Sequence, residues 1–193
     1  MLLFLFAAIA VGSGLVFGMA SWWLRISTYE GEAKGAHVRM TFEADCPEAE
    51  LILEARLADY GLPATSAGPL AWDVTLPGVL ADEATHMPKA LAAPGKLAVT
   101  VNGAPQPVAI DNVGMQLAFS GVPVTLLMLK DPLPEEGVKV TIDGEEIPVE
   151  EVTGPELQLA AYSTQSTEAL RLATDRAVML RRPLPCPVRV ATR

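Results

Sequence analysis

Hydrophobic and polar side chains follow two different periods along this chain, and each period predicts one kind of element. Residues 37–44 alternate between polar and apolar side chains, a pattern typical of a half-buried strand. After Asp45 and Pro47, which suit the start of a helix, apolar positions recur at helical spacing up to Gly61. The patterned part of the chain therefore begins with a strand followed by a helix.

The same two periods continue through the rest of the first half. A short extended segment at 64–68 and a strand at 71–76 precede a predicted helix over 81–93, and a further strand covers 96–101. Together with the first strand and helix, this is the βαββαβ order of a ferredoxin-like unit. We therefore predict a ferredoxin-like subdomain over residues 36–102.

The second half is richer in strands and predicts a second α+β subdomain over residues 103–193. A loop of turn-forming residues at 102–106 marks the boundary between the two. A helix is predicted from Ser166 or Thr167 to Arg182. The predicted strands of this half are 108–111, 115–120, 124–129, 138–142, 146–152, 157–162 and 187–191.

The N-terminus has no such periodicity. Residues 2–24 contain no charged side chain, and a helix of that length spans roughly 34 Å, enough to cross a bilayer. Trp22 and Trp23 stand where aromatic rings favour the headgroup layer. We predict a transmembrane anchor over residues 1–24 and a polar linker over 25–35. A cleaved signal peptide is the alternative, although no basic residue precedes the apolar run.

Composition and charge exclude some classes of partner. The net charge of −9 and the pI of about 4.7 argue against nucleic acid, whose phosphates need a basic surface. The C-terminal region is different, because residues 171–193 contain six arginines and one acidic residue, Asp175. These arginines either form a basic surface for an acidic partner or anionic lipid, or pair with acids of the same domain such as Glu145, Glu146, Glu150 and Glu151. The candidate contact residues among them are Arg171, Arg176, Arg181 and Arg182.

The sequence offers little to catalysis. It has two histidines, and the single E-x-x-H pair of Glu83 and His86 lacks the second copy that a di-iron site needs. No nucleophile elbow, P-loop or dinucleotide fingerprint occurs. We therefore expect no enzyme activity, no metal and no cofactor. Cys46 and Cys186 are an even pair, which leaves two interpretations: two free structural thiols, or a disulfide of the kind that an exported protein can form.

Five segments in the same order resemble the first exoplasmic domain of SecD, a protein-export family. They are ILEARLADYGLPA (52–64), AWDVTLPGVLADEA (71–84), APGKLAVTV (93–101), VKVTIDGEEIPVEEV (138–152) and TEALRLATDRAVMLRRPLPCPVRV (167–190). The family positions carried by these segments include Arg56, Gly61, Leu76-Pro77-Gly78 and Gly95-Lys96. SecD proteins continue into further membrane helices, whereas this sequence ends at Arg193, so we expect the exoplasmic domain without the proton-coupled motor.

The resemblance implies a place and a function. It implies a single-pass protein of the cytoplasmic membrane whose body lies on the exoplasmic side. This placement opposes the positive-inside rule, by which Arg25, Lys34 and Arg39 weakly favour a cytoplasmic body. It also implies a binding or scaffolding module accessory to protein export, contacting unfolded, translocating polypeptide or export-channel subunits. The alternative is a structural subunit of an unrelated membrane complex.

The stretch at 122–129 is the most hydrophobic one outside the N-terminus. It predicts either a buried central strand or a flexible apolar groove for unfolded segments, which would use Met and Leu side chains. The candidate contact residues in this stretch are Val124, Leu126 and Met128.

Overall fold

A computed structural model of the protein describes residues 36–78 and 80–191, which fold as an α+β protein with three helices and three antiparallel sheets. The predicted anchor at 1–24 and linker at 25–35 lie outside these residues. Within the described ranges, no helix combines the length and apolar composition needed to cross a membrane. The α+β class expected from the sequence is confirmed.

The predicted element types agree closely with the observed ones. The helices are α1 (Glu48–Asp59), α2 (Glu83–Ala92) and α3 (Ser166–Arg181). The strands are β1 (His37–Ala44), β2 (Ala64–Gly68), β3 (Ala71–Thr75), β4 (Leu97–Val101), β5 (Ala104–Gln106), β6 (Ile110–Leu117), β7 (Pro123–Leu129), β8 (Val138–Ile142), β9 (Glu145–Ile147), β10 (Val149–Thr153), β11 (Glu156–Ala160) and β12 (Val188–Val190).

The first sheet differs from the ferredoxin-like expectation in one of its four strands. Its order is β12-β1-β3-β2, and β1 pairs with β3 in antiparallel fashion, with Met40 opposite Trp72. This is the arrangement of a split βαβ unit, in which the third strand lies antiparallel between the first and the second. The strand expected to complete this sheet, at 96–101, is replaced by β12 from the C-terminus, where Val190 lies opposite Phe42. The ferredoxin-like order is therefore observed for β1, β3 and β2, and the prediction is wrong only in taking its fourth strand from 96–101.

The strand at 97–101 belongs to another sheet. Asn102 and Gly103 both have positive φ, which lets the chain reverse at once so that β4 pairs with β5. The β4 strand also pairs with β8, in a sheet of order β5-β4-β8-β9. Strand alternation in a sequence identifies an exposed and a buried face but not the sheet that a strand joins. The predicted boundary at 102–103 falls inside this hairpin, and the division into domains stays a prediction.

Helix α3 connects the two hydrophobic cores. The remaining sheet, of order β10-β11-β7-β6, packs against it: the Oγ1 of Thr125 on β7 donates to the carbonyl of Ala173 at 3.0 Å. Ala177 and Leu180 belong to the core of the second and third sheets, whereas Val178 belongs to the core formed by the first sheet with α1 and α2. Because buried side chains emerge on opposite sides of α3, the helix holds both halves of the protein together.

Candidate interaction surface

The three candidate residues on β7 lie in the interior of a sheet. Strand β7 is bonded on both sides, to β6 and to β11. Val124 is fully buried, whereas Leu126 and Met128 are half-buried on the face opposite Thr125. Of the two interpretations of 122–129, the central strand is the one observed. Contacts of Leu126 and Met128 with a partner stay a prediction.

The four candidate arginines on and beside α3 all make contacts within the chain. Arg171 bonds to Asp82 at 2.7 Å, and this hydrogen bond lowers the pKa of the Asp82 carboxyl. Arg176 donates to the carbonyl of Ala160 at 2.7 Å. Arg181 and Arg182 both approach Asp59 at the end of α1. These arginines therefore pair within the chain. Their partners are Asp59, Asp82 and main-chain carbonyls rather than the glutamates at 145–151.

Cys46 and Cys186 form a disulfide across 140 residues of sequence. Cys46 lies between β1 and α1, and Cys186 lies just before β12. The bond therefore links the end of β1 to the start of the strand that pairs beside it. Among the described residues no cysteine is free.

The E-x-x-H pair does not form a joint site. The carboxylate of Glu83 accepts hydrogen bonds from the main-chain nitrogens of Gly78 and Leu80, at 2.8 and 3.1 Å. His86 points elsewhere, with its Nε2 2.6 Å from a carboxylate oxygen of Asp175. Over the described ranges, no group of three potential ligands is placed to hold a metal ion.

The buried carboxylate of Asp175 joins three helices. It accepts a hydrogen bond from the hydroxyl of Tyr60, beyond α1, at 2.7 Å and contacts His86 of α2 at 2.6 Å. An aspartate beside a histidine is also the supporting pair of a catalytic triad. Among the recorded hydrogen bonds of the described residues, however, none links His86 to a hydroxyl or thiol that would serve as nucleophile. The arrangement satisfies a buried carboxylate and fixes the helix packing.

Arg56 is fully buried and bonds to main-chain oxygens at the ends of two helices. Its guanidinium donates to the carbonyls of Leu91 and Ala93 at the end of α2, and to those of Met179 and Arg182 at the end of α3. Burial lowers the pKa of Arg56 to about 10, so the side chain remains charged at neutral pH. A cation at two helix C-termini is stabilised by their dipoles and satisfies carbonyls that have no helical partner. We call Arg56 and its four carbonyls the arginine joint.

Three exposed side chains with large apolar parts lie around the turn between β6 and β7. Leu117 is 55% exposed, and Phe119 extends fully into solvent. Tyr162 lies beside them, 59% exposed, and its hydroxyl donates to Glu150, which also accepts from Ser120 of the turn. The hydrogen bond with Glu150 raises the pKa of Tyr162. We call Leu117, Phe119 and Tyr162 the apolar tip.

The apolar tip was missed by the sequence interpretation, which placed Phe119 inside a strand over 115–120. The strand in fact ends at Leu117, and a turn closed by a hydrogen bond from Ala118 to Val122 follows it. Gly121, with a positive φ two residues after Phe119, was the available signal that this aromatic side chain belongs to a turn. A large aromatic side chain on an exposed turn is a common anchor in protein interfaces.

Comparison with known proteins finds similarity at the level of structure. No family model matches the sequence, and no curated protein matches it. A solved structure of SecDF, described as a membrane component that enhances protein export, aligns with 80% of this chain and 98% of its own, with 16% identity and a TM-score of 0.49. SecDF in its super-membrane-facing form aligns with 83% of this chain, with 17% identity and a TM-score of 0.51.

This chain has a SecD-like fold. The alignment with the super-membrane-facing SecDF structure spans 30% of that longer chain. At 17% identity, the similarity establishes the architecture, and the function of this chain is argued separately below.

Residues that carry the SecD resemblance occupy structural positions in this fold. Arg56 makes the arginine joint, and Leu76 is buried in the first core. Gly95 has φ +74°, and a Cβ at this position would lie 2.4 Å from the carbonyl oxygen of Met179. Glycine is therefore required where the chain passes the end of α3. The carboxylate of Asp143 accepts hydrogen bonds from the main-chain nitrogens of Gly95 and Lys96, which fixes the same crossing.

Proposed function

We propose that this protein is a binding module that assists protein export. Residues 2–24 hold it in the cytoplasmic membrane, and the folded body lies on the exoplasmic side. The observation that carries the proposal is the fold, which is similar over 83% of the chain to a structure of SecDF. A structure of SecDF is described as that of a membrane component that enhances protein export. The module acts by binding, without covalent chemistry.

The disulfide supports the exoplasmic placement. Disulfides persist in oxidising compartments and are rare in the cytoplasm, where thiols are kept reduced. The bond between Cys46 and Cys186 joins segments that are distant in sequence and adjacent in the first sheet. A body exported despite the basic residues after the anchor is consistent with this bond.

The contact surface that we propose is the apolar tip. Leu117, Phe119 and Tyr162 present apolar side chains to solvent at one end of a sheet, whereas the α3 arginines are engaged within the chain. Exposed apolar residues grouped at one place are typical of binding sites on soluble domains. The occupants proposed for this surface are segments of polypeptide in transit or subunits of the export channel.

Photo-crosslinking in cells tests the proposal. A photoreactive amino acid replaces Phe119 in the full chain, and the same amino acid at Leu51, which is 70% exposed on α1, provides a matched control. We expect capture of exported polypeptides or of export-channel subunits at position 119 and clearly less capture at position 51. Capture of a single unrelated membrane complex, or equal capture at both positions, contradicts the proposal and favours a structural subunit that uses the same fold.

A further inference from the structure

We propose that the distal half of strand β6 recruits an extended polypeptide segment as an additional strand of its sheet. This inference rests on the proposed binding function and specifies how the polypeptide is held. The site consists of the main-chain groups and side chains of Met115 and Leu117, with Phe119 at its end. We call these three residues the β6 edge.

The orientation of the main chain in β6 follows from its recorded bonds. The nitrogen of Ala118 donates to the carbonyl of Val122, so the main-chain groups of Ala118 face toward β7. In an antiparallel pair, successive residues direct these groups to alternate sides of the strand. The main-chain groups of Met115 and Leu117 therefore point away from β7. Strand β6 is the last strand of its sheet, so this side faces no further strand.

The proximal half of the same edge is closed by side chains. The nitrogen of Val113 donates to Oδ1 of Asn112 at 2.8 Å, and the carbonyl of Val113 accepts from Arg181 at 2.7 Å. Among the recorded hydrogen bonds of the described residues, none closes the outward groups at Met115 and Leu117 in this way. The edge is therefore blocked at Val113 and open at Met115 and Leu117, the next two residues whose main-chain groups point outward.

The open half also has exposed apolar side chains. Met115 is 39% exposed and Leu117 is 55% exposed, and their side chains lie on the side of the sheet that faces α3. Proteins commonly protect such edge strands from pairing with other chains by means of charged residues, prolines or bulges. The single bulge of β6 lies between Ile110 and Asn112, at the closed end. An open, apolar edge of this kind is suited to strand addition, in which main-chain bonds supply affinity and alternate side chains supply selectivity.

The occupant we infer is an extended segment of neutral or positive charge with alternate apolar residues. Pairing with a second copy of this chain would bring together two molecules that each carry a net charge of −9, which opposes association. The carboxylate of Glu150 on β10 accepts a hydrogen bond from Ser120, which adds negative charge beside the turn that follows β6. Recognition through the main chain also tolerates many sequences, as a partner of variable sequence requires.

Binding of a designed peptide to the full chain in mild detergent tests this inference. The probe is a fluorescent decapeptide of alternating valine and threonine with a lysine at each end, and anisotropy measures its Kd. We expect Leu117→Lys and Met115→Lys each to raise the Kd at least tenfold. Gln116→Lys is the matched control, because the side chain of Gln116 lies on the opposite face, and it should leave the Kd within twofold. Melting temperatures establish that all variants are folded.

A second peptide isolates the main-chain contribution. It has the same sequence, but every second main-chain nitrogen, on the edge that would bond to β6, is methylated. Methylation removes these hydrogen-bond donors and leaves the side chains unchanged. We expect its binding to fall below detection. Equal binding of the two peptides overturns the inference, and so does a Kd that Leu117→Lys leaves unchanged. Dimers in sedimentation experiments that Leu117→Lys dissolves would instead identify a second copy as the occupant.

The inference and the proposed function can fail separately. Crosslinking to export components at position 119 together with equal binding of the methylated peptide would preserve the export function and reject strand addition. Specific binding of the unmethylated peptide without any export component in the crosslinks would support the open edge and reject the export function.

Discussion

The arginine joint and the β6 edge are opposite in character, and both lie beside α3. In the joint, a charged side chain is fully buried and bonds to carbonyl oxygens at the ends of two helices. At the edge, apolar side chains face solvent and two residues direct main-chain groups away from their sheet. One region has polar groups buried and satisfied, and the other has apolar groups exposed.

This contrast separates groups that hold the fold together from groups that are available for binding. A buried polar cluster costs free energy unless all of its partners are present, so it specifies one arrangement of the helices. An exposed apolar edge contributes little to folding and promotes unwanted association, so it is retained where binding needs it. The following predictions test this division, beginning with the largest expected effect on stability.

Removing the charge from the arginine joint should have the largest effect. Arg56→Met leaves carbonyls at the ends of α2 and α3 buried without a donor, and we expect a loss of about 3–5 kcal/mol of unfolding free energy. Urea denaturation of the full chain measures it. Arg39→Met is the matched control, because Arg39 bonds to Asp73 at the surface and its loss should barely move the midpoint. Similar shifts for both variants would contradict a special role for the joint.

Removing the disulfide should have the next largest effect. The bond closes a loop of 140 residues, and the double variant Cys46→Ser with Cys186→Ser should lose about 2–4 kcal/mol of unfolding free energy. Thermal unfolding with and without a reductant checks this. Reduction of the native protein should lower its melting temperature and leave that of the double variant unchanged. A native melting temperature that does not respond to reductant would argue against the bond.

Weakening the Asp175 cluster should have a smaller effect. Tyr60→Phe removes the hydroxyl that donates to the buried Asp175 carboxylate, while the ring stays in the first core. We expect a loss of about 1.5–3 kcal/mol, the contribution of a hydrogen bond to a charged group. Urea denaturation measures the loss, with Tyr162→Phe as the control, since its hydroxyl bonds to Glu150 at the surface. A larger loss for Tyr162→Phe would contradict the prediction that the hydroxyl of Tyr60 contributes more to stability than that of Tyr162.

Substitution of Phe119 at the apolar tip should have the smallest effect on folding and should still weaken binding. Phe119→Ser removes an aromatic ring that extends fully into solvent, so the unfolding free energy should change by less than about 0.5 kcal/mol. Binding of the valine–threonine peptide should weaken at least fivefold, because the ring borders the open edge. Parallel urea and anisotropy measurements test both statements. A destabilised Phe119→Ser protein with unaltered peptide binding would show that the tip is part of the fold.

Several features were predictable because their signals are local. The alternation of 37–44, the helical spacing after Pro47 and the turn at Asp143-Gly144 each depend on residues that are close in sequence. The helices and most strands therefore lie where the sequence predicts them. The role of β4 was not predictable in this way, because its alternation is compatible with either sheet. The pairing of the arginines on α3 with Asp59 and Asp82 likewise depends on helices that are distant in sequence.

The sequence by itself determined the α+β class, the order of elements, the resemblance to SecD and the acidic balance of the chain. These properties follow from composition and short-range periodicity. The tertiary structure alone decided that β12 completes the first sheet, that α3 serves two cores and that Arg56 joins two helix ends. It also decided that β7 is covered on both edges while β6 has one open edge. The pairing of β1 with β12 and the bond from Arg56 to Arg182 join residues more than a hundred positions apart, and no local pattern encodes which distant partner a strand or a cation meets.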